Sequence, residues 1–210
     1  MNRSSQKNYP LVIGITGASG TVLGLRLLKE VVALGVEVDL ILTEKCLQVL
    51  SSETDFTYQQ HQPRLPQLLN WLGIEESQHA LVRQHANTNI GATTASGTYL
   101  TRGMVVAPCS MGTLAKIAHG LSDNLLCRSA DVSLKEGRPL VLLPRETPIN
   151  AIHLENMLKL SRLGVHLIPP MLAFYNPQFF SMEGQINYIL GKVLDYLGFE
   201  HDLYTRWQGL

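Results

Sequence analysis

Charged residues are scarce in this chain. Asp, Glu, Lys and Arg make up 16% of its 210 residues, against roughly 25% in an average soluble domain. The charges also cancel, with 17 basic and 17 acidic residues. Binding to nucleic acid or to an acidic membrane surface needs a basic excess, so neither partner is expected. Cysteine is nearly absent: Cys46, Cys109 and Cys127 are odd in number and contain no C-x-x-C, which argues against a disulfide framework and a zinc cluster. The first ten residues lack the apolar stretch of a secretory leader. Leu163 to Met182 is uncharged, yet Pro169, Pro170 and Pro177 interrupt it, and a spanning helix needs about 20 mostly apolar residues in succession. A cytoplasmic protein without a membrane span is expected. So charge-poor a chain either covers surface with copies of itself or does its polar work with uncharged groups.

The length suits one domain, residues 1–210, able to bury a full core unaided. Apolar runs at 11–16, 36–43, 104–107, 140–143 and 165–168 alternate with segments of helical length. Helices are expected at 21–34, 44–51, 112–118, 123–136, 151–163 and 183–197. Residues 55–90 predict one helix near 66–72 and otherwise irregular chain. Short continuous apolar strands between helices predict an α/β fold, a three-layer αβα Rossmann-like arrangement around a mostly parallel sheet.

In such sheets ligands bind beyond the carboxyl ends of the strands. Those ends carry Thr16-Gly17-Ala18-Ser19-Gly20, Thr43-Glu44, Pro108 to Thr113, and Pro144-Arg145-Glu146-Thr147-Pro148. Small hydroxyl residues, glycines and one Arg-Glu pair thus collect along one edge. A glycine loop entering a helix offers backbone N–H groups and a positive dipole end to a phosphate or another polar ligand; the plain alternative is a tight turn, with Ser19 as its cap. Gly14-x-x-Gly17-x-x-Gly20 is not the dinucleotide fingerprint G-x-G-x-x-G. Tyr188 and Lys192 imitate the Y-x-x-x-K of short-chain dehydrogenases. They fall on a C-terminal helix with an apolar face of Ile186, Ile189, Leu190 and Val193, and no acid follows the second strand in a place suited to ribose.

A longer constellation is more specific. Ala107-Pro108-Cys109-Ser110-Met111-Gly112-Thr113 leads to Gly120-Leu121-Ser122-Asp123-Asn124, Arg128-Ser129-Ala130-Asp131-Val132, Leu134-Lys135-Glu136 and Arg138-Pro139. It continues through Pro144-Arg145-Glu146-Thr147-Pro148 to His153-Leu154-Glu155-Asn156. With the glycine loop and Ser52-Glu53-Thr54-Asp55, in this order, it resembles the UbiX/Pad-type flavin prenyltransferase family from about Leu11 to Trp207. The resemblance implies an enzyme that joins a dimethylallyl group from dimethylallyl monophosphate to N5 and C6 of reduced FMN. No metal is implied. Prenylated FMN would then pass to a UbiD-type decarboxylase, for example in quinone biosynthesis, and the enzyme would be a homododecamer with sites between subunits.

The resemblance also implies roles. Ser19, Glu53 and Glu146 would be catalytic, with Glu146 suited to acid/base work if burial tunes it. Gly17, Ala18, Ser19, Thr43, Ser96, Ser110, Met111, Gly112, Thr113 and Arg145 would hold the flavin. Glu53, Arg128, Lys135, Tyr175, Lys192 and Trp207 would surround the prenyl phosphate, partly across a subunit boundary. Without the resemblance, Arg128, Asp131 and Lys135 would pass for an exposed helix charge ladder, and Arg145-Glu146 for a salt-bridged loop. The sequence departs from the family pattern in Lys192, where many relatives carry arginine, and in lacking an aromatic residue just before Ala95-Ser96-Gly97. The family's rivals are a flavin-dependent cysteine decarboxylase and a non-catalytic FMN carrier. The first relies on an early histidine, and none precedes His61. His153 is expected to be structural, and Cys109 a small buried group.

Overall fold

The computed structural model describes residues 9–59 and 63–209; the first eight residues, within the stretch inspected for a leader, lie outside them. Six strands form one sheet: β1 (Leu11–Ile15), β2 (Val38–Leu42), β3 (Val82–Ala86), β4 (Gly103–Cys109), β5 (Leu140–Pro144) and β6 (His166–Leu167). Their order is β3-β2-β1-β4-β5-β6, and every neighbouring pair runs parallel. The helices are α1 (Thr21–Ala33), α2 (Glu44–Glu53), α3 (Arg64–Trp71), α4 (Met111–Ala118), α5 (Leu125–Lys135), α6 (Ala151–Arg162) and α7 (Met182–Leu197).

Alternate strand residues point to opposite faces. Leu11, Ile13 and Ile15 join Leu40, Val105, Val141 and Leu143 in a core shared with Leu27 and Leu28 of α1 and Leu190 and Val193 of α7. Val12, Ile41, Met104, Val106 and Leu142 face the other way, onto Leu114 of α4, Leu126 of α5 and Leu160 of α6. β1, β2, β4 and β5 are buried along their whole length, which is why they read as unbroken apolar runs. The expected three-layer architecture is present. Gly24 lets α1 lie directly on the sheet, since a Cβ there would collide with the Ala107 carbonyl. The strand order reverses between β1 and β4, which opens a crevice at their carboxyl ends.

Residues 55–90 depart from expectation. They contain β3, an edge strand in which Val82 alone is buried, so it lacks the apolar run by which its neighbours were recognised. The helix expected at 66–72 spans Arg64–Trp71, and the expected 165–168 strand shrinks to two edge residues. Among the described residues, no helix is long and apolar enough to cross a membrane.

Candidate active site

Three cavities lie along the carboxyl edge of the sheet. The loop after β1 and the loop after β4 are tied together by Thr16, whose hydroxyl donates to the Pro108 carbonyl at 2.8 Å and accepts from the Ser110 N–H at 2.8 Å. A cavity of about 560 Å³ lies on one side, lined by Gly17, Thr43, Ser110, Gly112, Thr113 and Asn124, among others. Thr43, Ser110 and Asn124 cap the N-termini of α2, α4 and α5, each side chain accepting from a backbone N–H one turn on. Three helix dipoles therefore converge on this cavity. α4 and α5 carry no acid in their first turn, whereas α2 carries Glu44. Gly17 is required by close approach, since a Cβ there would collide with Lys45. At Gly112 an added Cβ would meet nothing within 4 Å, so that loop leaves room.

The glycine loop is used differently. Gly20, at φ +94°, precedes α1 and supplies no side-chain cap. Glu53, at the end of α2, reaches back instead and accepts from Gly20 N at 2.8 Å, Thr21 N at 3.0 Å and the Thr21 hydroxyl at 2.8 Å. Partial burial pushes the Glu53 carboxyl up, but hydrogen bonds from the Ser19 hydroxyl, Gly20 and Thr21 outweigh it and hold the group below its ordinary range. The partners of Glu53 in this chain are thus Ser19 and the α1 N-terminus, rather than phosphate-binding cations.

Ser19 and Glu53 border a second cavity of about 540 Å³, walled by Leu23, Met171, Leu172, Ile186 and Ile189. Arg145 separates it from a third, of about 300 Å³, where Glu146, Met111, Met157 and Pro170 line the wall. The Arg145 Nε is buried without a hydrogen-bond partner, a costly state that a ligand acceptor would relieve. Glu146 is exposed and accepts from its neighbour's N–H, Thr147 N, at 3.1 Å. The burial expected to tune it is therefore missing in the single chain, because the loop after β5 turns outward. Arg145 and Glu146 form no ion pair with each other among the described residues.

The fold divides the expected prenyl-phosphate residues into two groups. Arg128 donates to the Ala95 carbonyl at 3.2 Å and pairs with Asp131 at 2.7 Å. Lys135 pairs with Glu136, and a Cβ on Gly97 would lie 2.7 Å from the Lys135 ammonium. This group, with Ser96, lies at α5. Tyr175, Lys192 and Trp207 gather at α7: Tyr175 meets Trp207 edge-on at 6.3 Å, and the Lys192 ammonium lies 5.5 Å and 5.3 Å from the Tyr188 and Tyr204 rings. α5 and α7 pack on opposite faces of the sheet, so one chain does not unite them. Neither group lines the three cavities, and Ser96, expected beside the flavin, stands with Arg128.

Some residues escaped the sequence reading. Asp195 accepts from Tyr204 at 2.5 Å, Arg206 at 2.6 Å and His201 at 3.1 Å, and so fastens the tail that carries Trp207. Burial opposes ionisation there, but these donors lower the carboxyl to about 2. Asn124 stands before Leu125-Leu126, a helix-cap signal that would have placed it. Lys45 and His85 line the polar cavity without any motif to announce them. His153 completes a capping box with Asn150. Cys109 is fully buried, which pushes its thiol up and makes it a poor nucleophile. No group of three or more His, Cys, Asp or Glu residues that could hold a metal occurs among the described residues.

The chain resembles known proteins along nearly its whole length. The Flavoprotein family matches residues 1–193. The flavin prenyltransferase UbiX of Halalkalibacterium halodurans is 47% identical over 196 residues, which are 93% of this chain and 91% of that one. A dodecameric FMN-dependent UbiX-like decarboxylase from Escherichia coli O157:H7 superposes with a TM-score of 0.83 at 40% identity, covering 95% of this chain and 100% of the other. AnUbiX (PadA1), solved with FMN and dimethylallyl pyrophosphate, gives 0.82 at 35% identity and covers 97% and 100%. Identity at this level over this length, on a parallel sheet whose crevice holds a polar cavity beside an apolar one, places the chain in the Flavoprotein family, among the UbiX flavin prenyltransferases.

Proposed function

We propose that this chain, as one catalytic domain, transfers the dimethylallyl group of dimethylallyl monophosphate to N5 and C6 of reduced FMN. One observation carries this assignment to residues: a cavity receiving three helix N-termini adjoins an apolar cavity, with Ser19, Glu53 and the unpartnered Arg145 at the second. Phosphate suits the first, where N–H groups and dipoles favour an anion. The flavin ring and the prenyl chain suit the second, whose walls are Leu, Ile and Met.

When bound, reduced FMN supplies the nucleophilic N5 and C6. Thr43, Ser110, Gly112 and Thr113 hold its polar tail, and Gly17 and Ala18 keep the loop close beneath it. Arg145 gives its free Nε hydrogen to a ring acceptor. Glu53, held ionised, orients the Ser19 hydroxyl, which can then accept or pass on a proton at the reacting face. Leaving phosphate needs cations, which Arg128, Lys135 and Lys192 provide, while the faces of Tyr175 and Trp207 stabilise allylic positive charge. Because α5 and α7 lie on opposite faces, these residues converge when α5 of one copy meets α7 of another. Exposed Ile152, Leu154 and Leu158 on α6, and Met171, Leu172 and Phe174 before α7, supply apolar surface for such contacts. This supports a homo-oligomer, which we take to be a cytoplasmic dodecamer, with a UbiD-type decarboxylase receiving the product. Incubation with reduced FMN and dimethylallyl monophosphate without oxygen, followed by mass spectrometry of the released flavin, tests the proposal. A five-carbon mass gain is expected, and bound but unmodified FMN would overturn it.

A further inference from the structure

Asp39 is the second residue of β2, with its side chain fully buried. A carboxylate there is costly unless donors surround it. His85 Nε2 approaches at 2.8 Å, the Tyr99 hydroxyl at 2.9 Å and Arg83 Nε at 3.4 Å. The parallel register explains this convergence, since Asp39 stands opposite Arg83 and Ile41 opposite His85; one sheet face therefore carries Asp39, Arg83 and His85. Arg83 is also engaged elsewhere, by Glu37 at 3.1 Å and the Tyr99 hydroxyl at 2.9 Å.

A carboxylate only accepts, so the hydrogen-bonded Nε2 must carry its hydrogen. The remaining ring nitrogen, Nδ1, has no hydrogen-bond partner among the described residues. His85 lines the polar cavity, together with the caps Thr43, Ser110 and Asn124, while Asp39 does not reach it. The arrangement is a buried acid that fixes the orientation of an imidazole whose ring lines a ligand cavity. Four other charged groups line that cavity: Glu44, Lys45, Arg64 and Lys116. Of these, Lys116 is tied to Asp123 at 2.6 Å, and lysine ammoniums on flexible stems give charge without fixed direction. His85 supplies direction.

We infer that His85 is a specificity-determining residue: held by Asp39, it presents Nδ1 to the terminal phosphate of the flavin and makes the chain select FMN over riboflavin. The inference rests on the flavin function proposed above. Held on Asp39 through Nε2, the ring meets a phosphate oxygen through Nδ1, with the shared hydrogen carried by the ring or by the phosphate. Riboflavin, lacking the phosphate, gains nothing from that second contact.

The test is a fluorescence-quenching titration of FMN and of riboflavin into the intact protein and into His85→Phe, His85→Gln and Asp39→Asn. The wild type is expected to prefer FMN. His85→Phe should weaken FMN binding about tenfold or more, the scale of one charged hydrogen bond, and leave riboflavin affinity within about twofold. His85→Gln, which keeps a donor, should recover part of the preference, and Asp39→Asn should lose part of it. An unchanged FMN-to-riboflavin ratio in His85→Phe overturns the inference, and so does equal weakening of both ligands, which would make His85 a wall of the cavity. Should His85→Phe fail to fold, judged by its melt, the ratio in His85→Gln decides: parity with wild type across both His85→Gln and Asp39→Asn refutes the role. Wild-type protein that binds neither flavin removes the flavin function as well, a result separable from all the others.

Discussion

Two regions of the carboxyl edge present helix N-termini and use them in opposite ways. At α1 the free N–H groups of Gly20 and Thr21 are taken by a carboxylate of the same chain, Glu53. At α4 and α5 the caps are uncharged, Ser110 and Asn124, and no acid stands in the first turn. One end is therefore electrically satisfied within the chain, and the other is left positive toward a cavity of about 560 Å³. The glycine loop was the feature that most resembled a phosphate cradle. Its glycines also meet needs of packing and turning: Gly17, which lines the polar cavity, admits Lys45 at close range, and Gly20 adopts φ +94° so that the chain can turn into α1. The same backbone device is satisfied by Glu53, beside Ser19, in one place and is left open toward the polar cavity in the other.

The sharpest way to break this contrast is Glu53→Ala. Three donors, the Gly20 N–H and the N–H and hydroxyl of Thr21, lose their acceptor. Prenyl transfer should fall about 100-fold or more, as when a positioned proton-handling group is lost. The melt should show a loss of about 1 kcal/mol, the size of a missing N-cap. FMN affinity should change less than about threefold. An affinity loss as large as the turnover loss, read from flavin titration beside initial rates, would mean that the α1 N-terminus holds the flavin phosphate after all.

Legibility in the sequence followed burial and chain separation. β1, β2, β4 and β5 are buried throughout, so composition alone marked them, and their carboxyl ends gave Ser19, Thr43, Ser110 and Arg145. β3, with Val82 as its one buried residue, had no such mark, and with it His85 was lost as a cavity residue. The motif containing Glu53 was visible, but its partners lie 32 and 33 positions away, and only the packing of α2 beside α1 brings them together. Arg128 and Lys135 could be placed on one helix face by their spacing. That Lys192 lies across the sheet from them depends on which side each crossover takes, which residue spacing does not encode.

A smaller effect is expected on the other side of the comparison. Ser110→Ala removes one of the uncharged caps while leaving Glu53 and Ser19 in place. FMN affinity should weaken about tenfold and stability fall by about 1 kcal/mol, whereas turnover at saturating FMN should stay within about threefold. Isothermal titration and initial rates would separate the two. A turnover collapse at full occupancy would place Ser110 with the reacting groups and blur the division between the two ends.

The smallest effect comes from acid, because the amides of one region are held by a carboxylate and those of the other by uncharged caps. The Glu53 carboxyl is lower in the folded chain than its ordinary value of 4.5. A depressed acid contributes stability that is fully present above that value and is lost as pH falls through the folded one. The caps Thr43, Ser110 and Asn124 carry no ionisable group. On acidification the amides of Gly20 and Thr21 should therefore lose protection before those of Thr113 and Cys127, which are held by Ser110 and Asn124. Hydrogen exchange, corrected for the intrinsic effect of pH on each amide, reads this directly. Loss of protection in step at all four amides would mean that the α1 N-terminus does not depend on an ionised Glu53, and the two regions would then be satisfied in the same way.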